Sequence, residues 1–377
     1  MDWDKVKLSS LCKLVQYGYT TSATEEQTGI KFLRITDIVP ASISWDDVPF
    51  CEIEKKEFEK YALAKGDIVI ARTGATVGYA KYIKGDVPKA VFASYLIRIQ
   101  INDSADSRFI GSLVESNLYK DYILNIAGGA AQPNANAQDL ISFQFRLPPL
   151  PTQRRIAEVL GRYDDLIENS LRQIVILEAS AQMLYREWFA RGRCPFGEIE
   201  NDGKLPAGWE RVKLGDVLEL KYGKSLTEEA RVGGDYPVVG SSGIVDFHNE
   251  FLVDKGGIVV GRKGNVGSVF WIDKPFFPID TAFYVESEMS LYYLFFNLKS
   301  QNFISGDAAV PGLNREQALS NEMIKPADEV LAKFDKVVQP IFEKVGNIQS
   351  QVALLRQMRD RLLPRLMSGR IPLTAAE

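Results

Sequence analysis

The chain has 377 residues, 46% of them apolar and 25% charged, values ordinary for a soluble globular protein long enough for two or three domains. Its formal net charge of −4 weighs against a protein coated in nucleic acid, and no apolar run approaches the length of a membrane helix. Cys12, Cys51 and Cys194 are far apart with no CxxC spacing, so neither a disulfide framework nor a zinc site is expected.

The N-terminal MDWDKVKLSS has no apolar signal-peptide core, so a cytoplasmic protein with no membrane partner is expected. Residues 1–150 read as a mixed α/β globule, with strands over 67–72 and 90–99 and an amphipathic helix over 107–126. A proline-rich joint, Leu147-Pro-Pro-Leu-Pro151, then opens a long helix over 152–190. Its seam alternates steps of four and three: Ile156, Leu160, Tyr163, Ile167, Ser170, Ile174, Leu177, Ala181, Leu184 and Trp188, with Ser170 alone polar. That 3.5-residue period is the pattern of a helix packed lengthwise on another, and at 1.5 Å per residue the rod would run roughly 57 Å. Proline and glycine at 195–208 mark the next joint, and residues 196–325 form a second α/β globule with strands over 258–262 and near 282–285 and a helix over 289–303. A second seam runs from Leu331 to Leu366, interrupted only by Arg359. Pro340 lies inside it and lacks a backbone donor, so a short helix ending near 338 and a long one over 340–366 are expected.

The chain is internally duplicated. Trp3-x-x-Val6-Lys7-Leu8 recurs as Trp209-x-x-Val212-Lys213-Leu214. KGDIVIARTGATVGYAKYI (65–83) recurs as KGGIVVGRKGNVGSVFWI (255–272), with nine of eighteen aligned positions identical. AAQPNAN (130–136) parallels AAVPGLN (308–314). The plan is globule, long helix, globule, long helix: 1–150, 151–195, 196–325 and 326–377. If the two seams pair, the second helix must return toward the first globule. The expected fold is α+β, two mixed α/β heads joined by a long antiparallel coiled coil with pseudo-two-fold symmetry. Such a caliper suits a ligand with its own inverted repeat, and duplex DNA is one. A coiled-coil scaffold with two protein-binding heads fits the same pattern.

The chain resembles the specificity subunits of type I restriction-modification systems. The resemblance rests on the two-copy plan, the GDIVIARTGATVG and GGIVVGRKGNVG stretches, the Ala-x-Pro-x-x-Asn segments and LPPLPTQRRI leading into a long helix. It covers essentially the whole chain. It implies two target recognition domains, each reading one half of a bipartite site in double-stranded DNA, and helices that set the spacer. It further implies docking of two methyltransferase subunits and, through them, of restriction subunits, with S-adenosylmethionine and ATP on those partners. No cofactor, metal or catalytic residue is expected on this chain itself. A related system with a fused methyltransferase-nuclease is the variant reading. Two departures stand out: Thr152 occupies a position where the family commonly has glutamate, and Ile324-Lys-Pro-Ala-Asp328 lacks a Gln-Arg run. They leave open whether both helix starts dock a partner equally.

The residues add their own reading. There is no Walker A, GxGxxG or NPPY motif, as befits a chain whose chemistry belongs to a partner. The lone histidine, His248, is read as a surface or loop residue, and Trp3 and Trp209 as packing residues. A glycine-rich turn after a strand lets backbone approach phosphate, and arginine pairs with guanine or phosphate. Candidate DNA contacts are therefore Arg72, Thr73, Gly74 and Thr76, then Arg262, Lys263 and Asn265. Gln132, Asn134 and Asn136 lie in a polar loop, matched by Asn314; Ser241 and Ser242 lie in another. Polar loops beginning at Tyr17 and Tyr222 are further candidates. The shared glycines equally mark a turn that the fold requires. Base readers belong where the copies differ, as Thr73 does from Lys263, whereas Arg72 and Arg262 suit phosphate or structure. Arg154, Arg155, Arg162 and Arg172 mark the helix face expected to receive the methyltransferase.

Overall fold

The computed structural model describes residues 3–127, 134–195, 197–198, 205–303, 312–367 and 371. The chain divides into two compact units, residues 1–171 with 351–377, and residues 172–350. Each long helix therefore contributes one end to each unit.

In the first unit the elements run β1 (Lys5–Lys7), β2 (Cys12–Tyr17), β3 (Lys31–Leu33), α1 (Ile35–Ile38), α2 (Lys55–Tyr61), β4 (Ile68–Ala71), β5 (Ala80–Tyr82), β6 (Ala90–Phe92) and β7 (Leu96–Ile101). There follow α3 (Ser107–Val114), α4 (Asn117–Ala127), α5 (Ala137–Ile141), β8 (Gln144–Arg146) and the first half of α6 (Leu150–Tyr185). The main sheet has the order β2-β7-β4-β5, antiparallel throughout; β3 pairs parallel with β6 and β1 antiparallel with β8. The continuous apolar run of β4 follows from covering on both faces. Ile68 and Ile70 enter one core with Phe109, Leu113 and Ile123, while Val69 and Ala71 enter another with Leu33, Ile38 and Phe92. The expected strand over 90–99 is two strands, parted by a turn in which the Leu96 N–H bonds the Ala93 carbonyl at 2.8 Å. The expected helix over 107–126 is likewise two. It breaks at Glu115–Ser116, where the Ser116 hydroxyl bonds the Leu113 carbonyl at 2.6 Å and the Glu115 carboxylate accepts the Tyr82 N–H at 2.7 Å.

The second unit repeats the plan. After α6 and a π turn at Arg186–Ala190 come β9 (Arg193–Cys194), β10 (Gly197–Glu198), β11 (Glu210–Lys213), β12 (Glu219–Tyr222), β13 (Tyr236–Gly240), β14 (Gly243–His248) and β15 (Gly257–Gly261). Then come β16 (Val269–Ile272), β17 (Phe277–Pro278), β18 (Ala282–Glu286), α7 (Leu291–Ser300), α8 (Arg315–Leu319), β19 (Glu322–Lys325) and α9 (Asp328–Met367). The sheet order β12-β18-β15-β16 matches β2-β7-β4-β5, the parallel pair β13-β17 matches β3-β6, and β11-β19 matches β1-β8. The additional hairpin strand β14 lies beside β13. His248 is its last residue and, contrary to the surface reading, is 8% exposed with its ring edge-on to Phe277.

The seams pair antiparallel inside each unit. In the first, Ile156, Ala157 and Leu160 at the start of α6 share a core with Leu363 and Leu366 at the end of α9. Arg359, the one charged seam residue of α9, meets Asp164 at 2.8 Å. In the second, Tyr185, Trp188 and Phe189 pack with Leu331, Phe334 and Val338 near the start of α9. The break expected at Pro340 is absent, and α9 runs through it. Pro340 and Lys336 are both exposed, so the carbonyl that loses its intrahelical donor lies on a face open to water. Gln153 of the PTQRR segment is buried: its amide accepts the Asp106 N–H at 2.9 Å and donates to the Pro148 carbonyl at 2.8 Å, tying the start of α6 to α3. The second unit fastens α7 to α9 differently, through a hydrogen bond from Ser290 to Asp335. Among the described residues no helix is long and apolar enough to cross a membrane.

Candidate nucleic-acid interface

Each unit carries a turn that follows the central buried strand, β4 or β15, and the two turns are built alike. Arg72 or Arg262 is the first residue after the strand. The Arg72 N–H donates to the Tyr95 carbonyl at 3.1 Å, and the Arg262 N–H to the Thr281 carbonyl at 2.9 Å. On the other side the Arg72 carbonyl accepts from the Ala135 N–H at 2.9 Å, and the Arg262 carbonyl from the Leu313 N–H at 2.8 Å. The Ala-x-Pro-x-x-Asn segments are thus threaded against the arginine turns, with bridges Thr73 to Asn134 and Lys263 to Gly312.

The guanidinium groups are also placed alike. Arg72 Nε donates to the Ser94 carbonyl at 3.3 Å, and Arg262 Nη1 to the Asp280 carbonyl at 3.1 Å. Arg72 lies 5.3 Å above the ring of Tyr17, and Arg262 lies 4.9 Å above that of Tyr222. Tyr17 ends β2 and Tyr222 ends β12. Each is followed by a glycine pressed on backbone: a Cβ on Gly18 would sit 2.2 Å from the Ala93 oxygen, and one on Gly223 would sit 2.2 Å from that of Ile279. Only glycine lets the strand pass so close, and the passage brings the tyrosine under the arginine. The sequence singled out the loops that begin at these tyrosines but not their pairing with arginine. The signal was the Tyr-Gly step present in both copies.

The glycines of the turn divide by role. Gly74 and Gly264 have positive φ of 75° and 78°, the left-handed conformation the turn requires. Gly78 and Gly267 are also left-handed, but a Cβ there would meet Ile123 or Phe303 at 2.9 Å, so these two serve close packing. Thr73 and Thr76 flank Gly74 and are half-buried, with Thr76 ending the 3-10 turn Gly74–Thr76.

In the second unit the candidates converge further. Asn265 Nδ2 donates to Ser242 Oγ at 3.1 Å, and Ser241, largely buried, accepts through its carbonyl from Ser268 Oγ at 2.6 Å. Lys263 Nζ stands 3.9 Å from Asp280. Ser242, Lys263 and Asn265 are all exposed, forming a polar rim beside Arg262. In the first unit Asn134 is exposed next to Thr73, and Gln132 lies outside the described residues. Asn136 and Asn314 are helix N-caps: Asn136 Oδ1 accepts from the Asp139 N–H at 3.0 Å, and Asn314 Oδ1 from Glu316 and Gln317 at 3.0 and 3.1 Å. Their amide NH2 groups remain as the donors they have to offer. On α6, Arg154, Arg162 and Arg172 are exposed and Arg155 half-buried, with Arg162 paired to Glu158 at 2.7 Å.

Known proteins resemble this chain along nearly its whole length. The model of the type I restriction modification DNA specificity domain matches residues 1–177 and again 206–329. The specificity subunit of the type I restriction enzyme MjaIX of Methanocaldococcus jannaschii is 26% identical, the alignment covering 98% of this chain and 94% of that protein. The HindI specificity subunit of Haemophilus influenzae is 23% identical over 98% of this chain and 100% of its own length. Among solved structures, the crystal structure of a type I restriction-modification S subunit from M. genitalium shares the fold, with a TM-score of 0.56, 19% identity and coverage of 97% of this chain and 96% of that one.

Proposed function

Because this chain belongs to the family of type I restriction-modification DNA specificity proteins, we propose that it is the subunit that chooses the DNA sequence on which partner enzymes act. The observation that carries the reading is the duplicated site. Two heads of diverged sequence each place an arginine on a tyrosine beside a glycine turn, with unlike polar residues around it. Each head reads one half of a bipartite site in double-stranded DNA, and the unlike rims make the half-sites unlike.

Arginine supplies bidentate recognition of phosphate or guanine, and Lys263, Asn265, Ser242, Thr73 and Asn134 supply polar groups that differ between the heads. The chain performs no chemistry of its own. Two methyltransferase subunits, holding S-adenosylmethionine, and ATP-driven restriction subunits would supply it. Exposed apolar side chains on the long helices give each unit a docking face for one methyltransferase subunit: Leu166, Leu354 and Met358 in the first unit, and Val175, Ile176, Met183 and Val337 in the second. With a net charge of −4, the chain alone binds DNA weakly and with strong salt sensitivity, and the partner completes phosphate neutralisation.

Selection from a random duplex library with the purified complex of this chain and its methyltransferase subunits tests the reading. Enriched duplexes should share two short blocks at a fixed distance with unspecified bases between. Enrichment of one continuous block, or none, would overturn it.

A further inference from the structure

Resting on the DNA-recognition reading, we infer that Tyr17 with Arg72, and Tyr222 with Arg262, are preassembled clamps, each gripping one backbone phosphate of duplex DNA without reading sequence. The inference starts from what is the same in the two heads and what is not. The arginine, the tyrosine beneath it, the carbonyl that accepts from the guanidinium and the close-packed glycine after the tyrosine recur in both. The residues immediately around them differ: Thr73 against Lys263, and Tyr95 against Thr281. A group retained while its surroundings diverge serves a feature that both half-sites share, and the phosphate backbone is that feature.

The geometry suits a phosphate. One guanidinium N–H is spent on a carbonyl, and the ring below fixes the plane, so little side-chain entropy remains to be lost on binding. Among the described residues no carboxylate lies within ion-pair distance of Arg72 or Arg262, although carboxylates do pair with Lys263 and with Arg231 in the same head. The charge is held in place but not neutralised. Tyr17 and Tyr222 are 45% and 53% exposed and Arg72 and Arg262 half-buried, so the pairs stand at the surface. The Tyr17 hydroxyl also accepts the Ala137 N–H at 3.3 Å, which fastens the clamp to the start of α5, beside the Asn134–Asn136 loop.

The test uses the complex of this chain with its methyltransferase subunits and a duplex carrying the motif that the wild-type complex methylates. Arg72→Ala and Arg262→Ala should each weaken binding roughly ten- to a hundredfold, as loss of a charge-assisted hydrogen bond does. Each should also reduce the slope of log affinity against log salt by about 0.9 and leave the methylated motif unchanged. Tyr17→Ala and Tyr222→Ala should lose about two- to fivefold. Arg72→Lys and Arg262→Lys keep the charge, and should keep salt slope and motif even where an alanine variant fails to fold. A motif that becomes degenerate at one position in these variants would make the arginine a base reader and overturn the inference. An unchanged salt slope in a folded Arg→Ala variant would overturn it as well. Failure of the wild-type complex to methylate any bipartite motif would instead refute the recognition reading itself.

Discussion

Truncating Phe334 to alanine tests the packing on which the second unit depends. Phe334 is fully buried on α9, and its ring lies 5.0 Å from Phe189, 5.8 Å from Trp188 and 6.5 Å from Phe296. Those three come from the π turn and from α7, so this one side chain joins both long helices to the head. Removing a buried phenyl ring costs about 3–5 kcal/mol, from lost transfer energy and the cavity left behind. With a urea m-value of about 2 kcal/mol/M, the midpoint should fall by roughly 2 M. Trp188 lies against the deleted ring, and Trp188, Trp209 and Trp271, three of the chain's five tryptophans, belong to this unit, so tryptophan fluorescence during urea unfolding of the purified chain includes its loss. Val337→Ala, three residues along the same helix at a 45% exposed position, should move the midpoint by less than about a quarter of a molar. A shift no larger for Phe334→Ala than for Val337→Ala would show that the helix start is not packed as described.

Two glycines in the first unit should respond oppositely to alanine. Gly161 lies inside α6 with open space for 4 Å around the place a Cβ would take, so Gly161→Ala should stabilise by about 0.5–1 kcal/mol; Gly18→Ala drives a methyl into the Ala93 carbonyl and should destabilise by about 1–3 kcal/mol, both read as thermal midpoints. Equal effects of one sign would contradict the structure. Burial pushes the Cys12 and Cys51 thiols up to about 11, so both stay protonated in the folded chain at neutral and mildly alkaline pH. Unfolded thiols ionise near pH 8.5, so stability is full below that pH and declines as pH rises toward about 11. Cys51 should resist iodoacetamide at pH 8 until urea unfolds the chain, and alkylation of native Cys51 at the rate of a free thiol would refute its burial.

Much of the fold was legible in the sequence because duplication supplied a second reading of every weak signal. One strand-turn motif is ambiguous by itself, but 65–83 and 255–272 share nine of eighteen aligned positions, and β4 and β15 are where both predict a strand. The helix seams were legible from their 3.5-residue period, and the antiparallel pairing within each unit follows. Local competition was harder to see. Pro340 reads as a helix breaker, yet α9 tolerates it because the orphaned carbonyl is on a wet face. Ser116 reads as one polar residue on a helix, yet its hydroxyl ends the preceding turn. His248 was misplaced because a single histidine carries no periodicity, and the strand that buries it is a hairpin addition without a counterpart in the first copy. At the site, Asn136 and Asn314 were chosen for their amides, although Asn136-x-x-Asp139 is also a capping pattern. The pairing of tyrosine with arginine was not legible because Tyr17 and Arg72 lie 55 positions apart in the chain, and only the sheet brings β2 and β4 to the two sides of β7.

Mapping of DNA methylation in cells that carry this chain with its methyltransferase partner tests the central claim most directly. Methylation is expected in a bipartite motif, two unlike half-sites separated by a fixed run of unread bases. A single continuous motif, or methylation that does not depend on this chain, would contradict it.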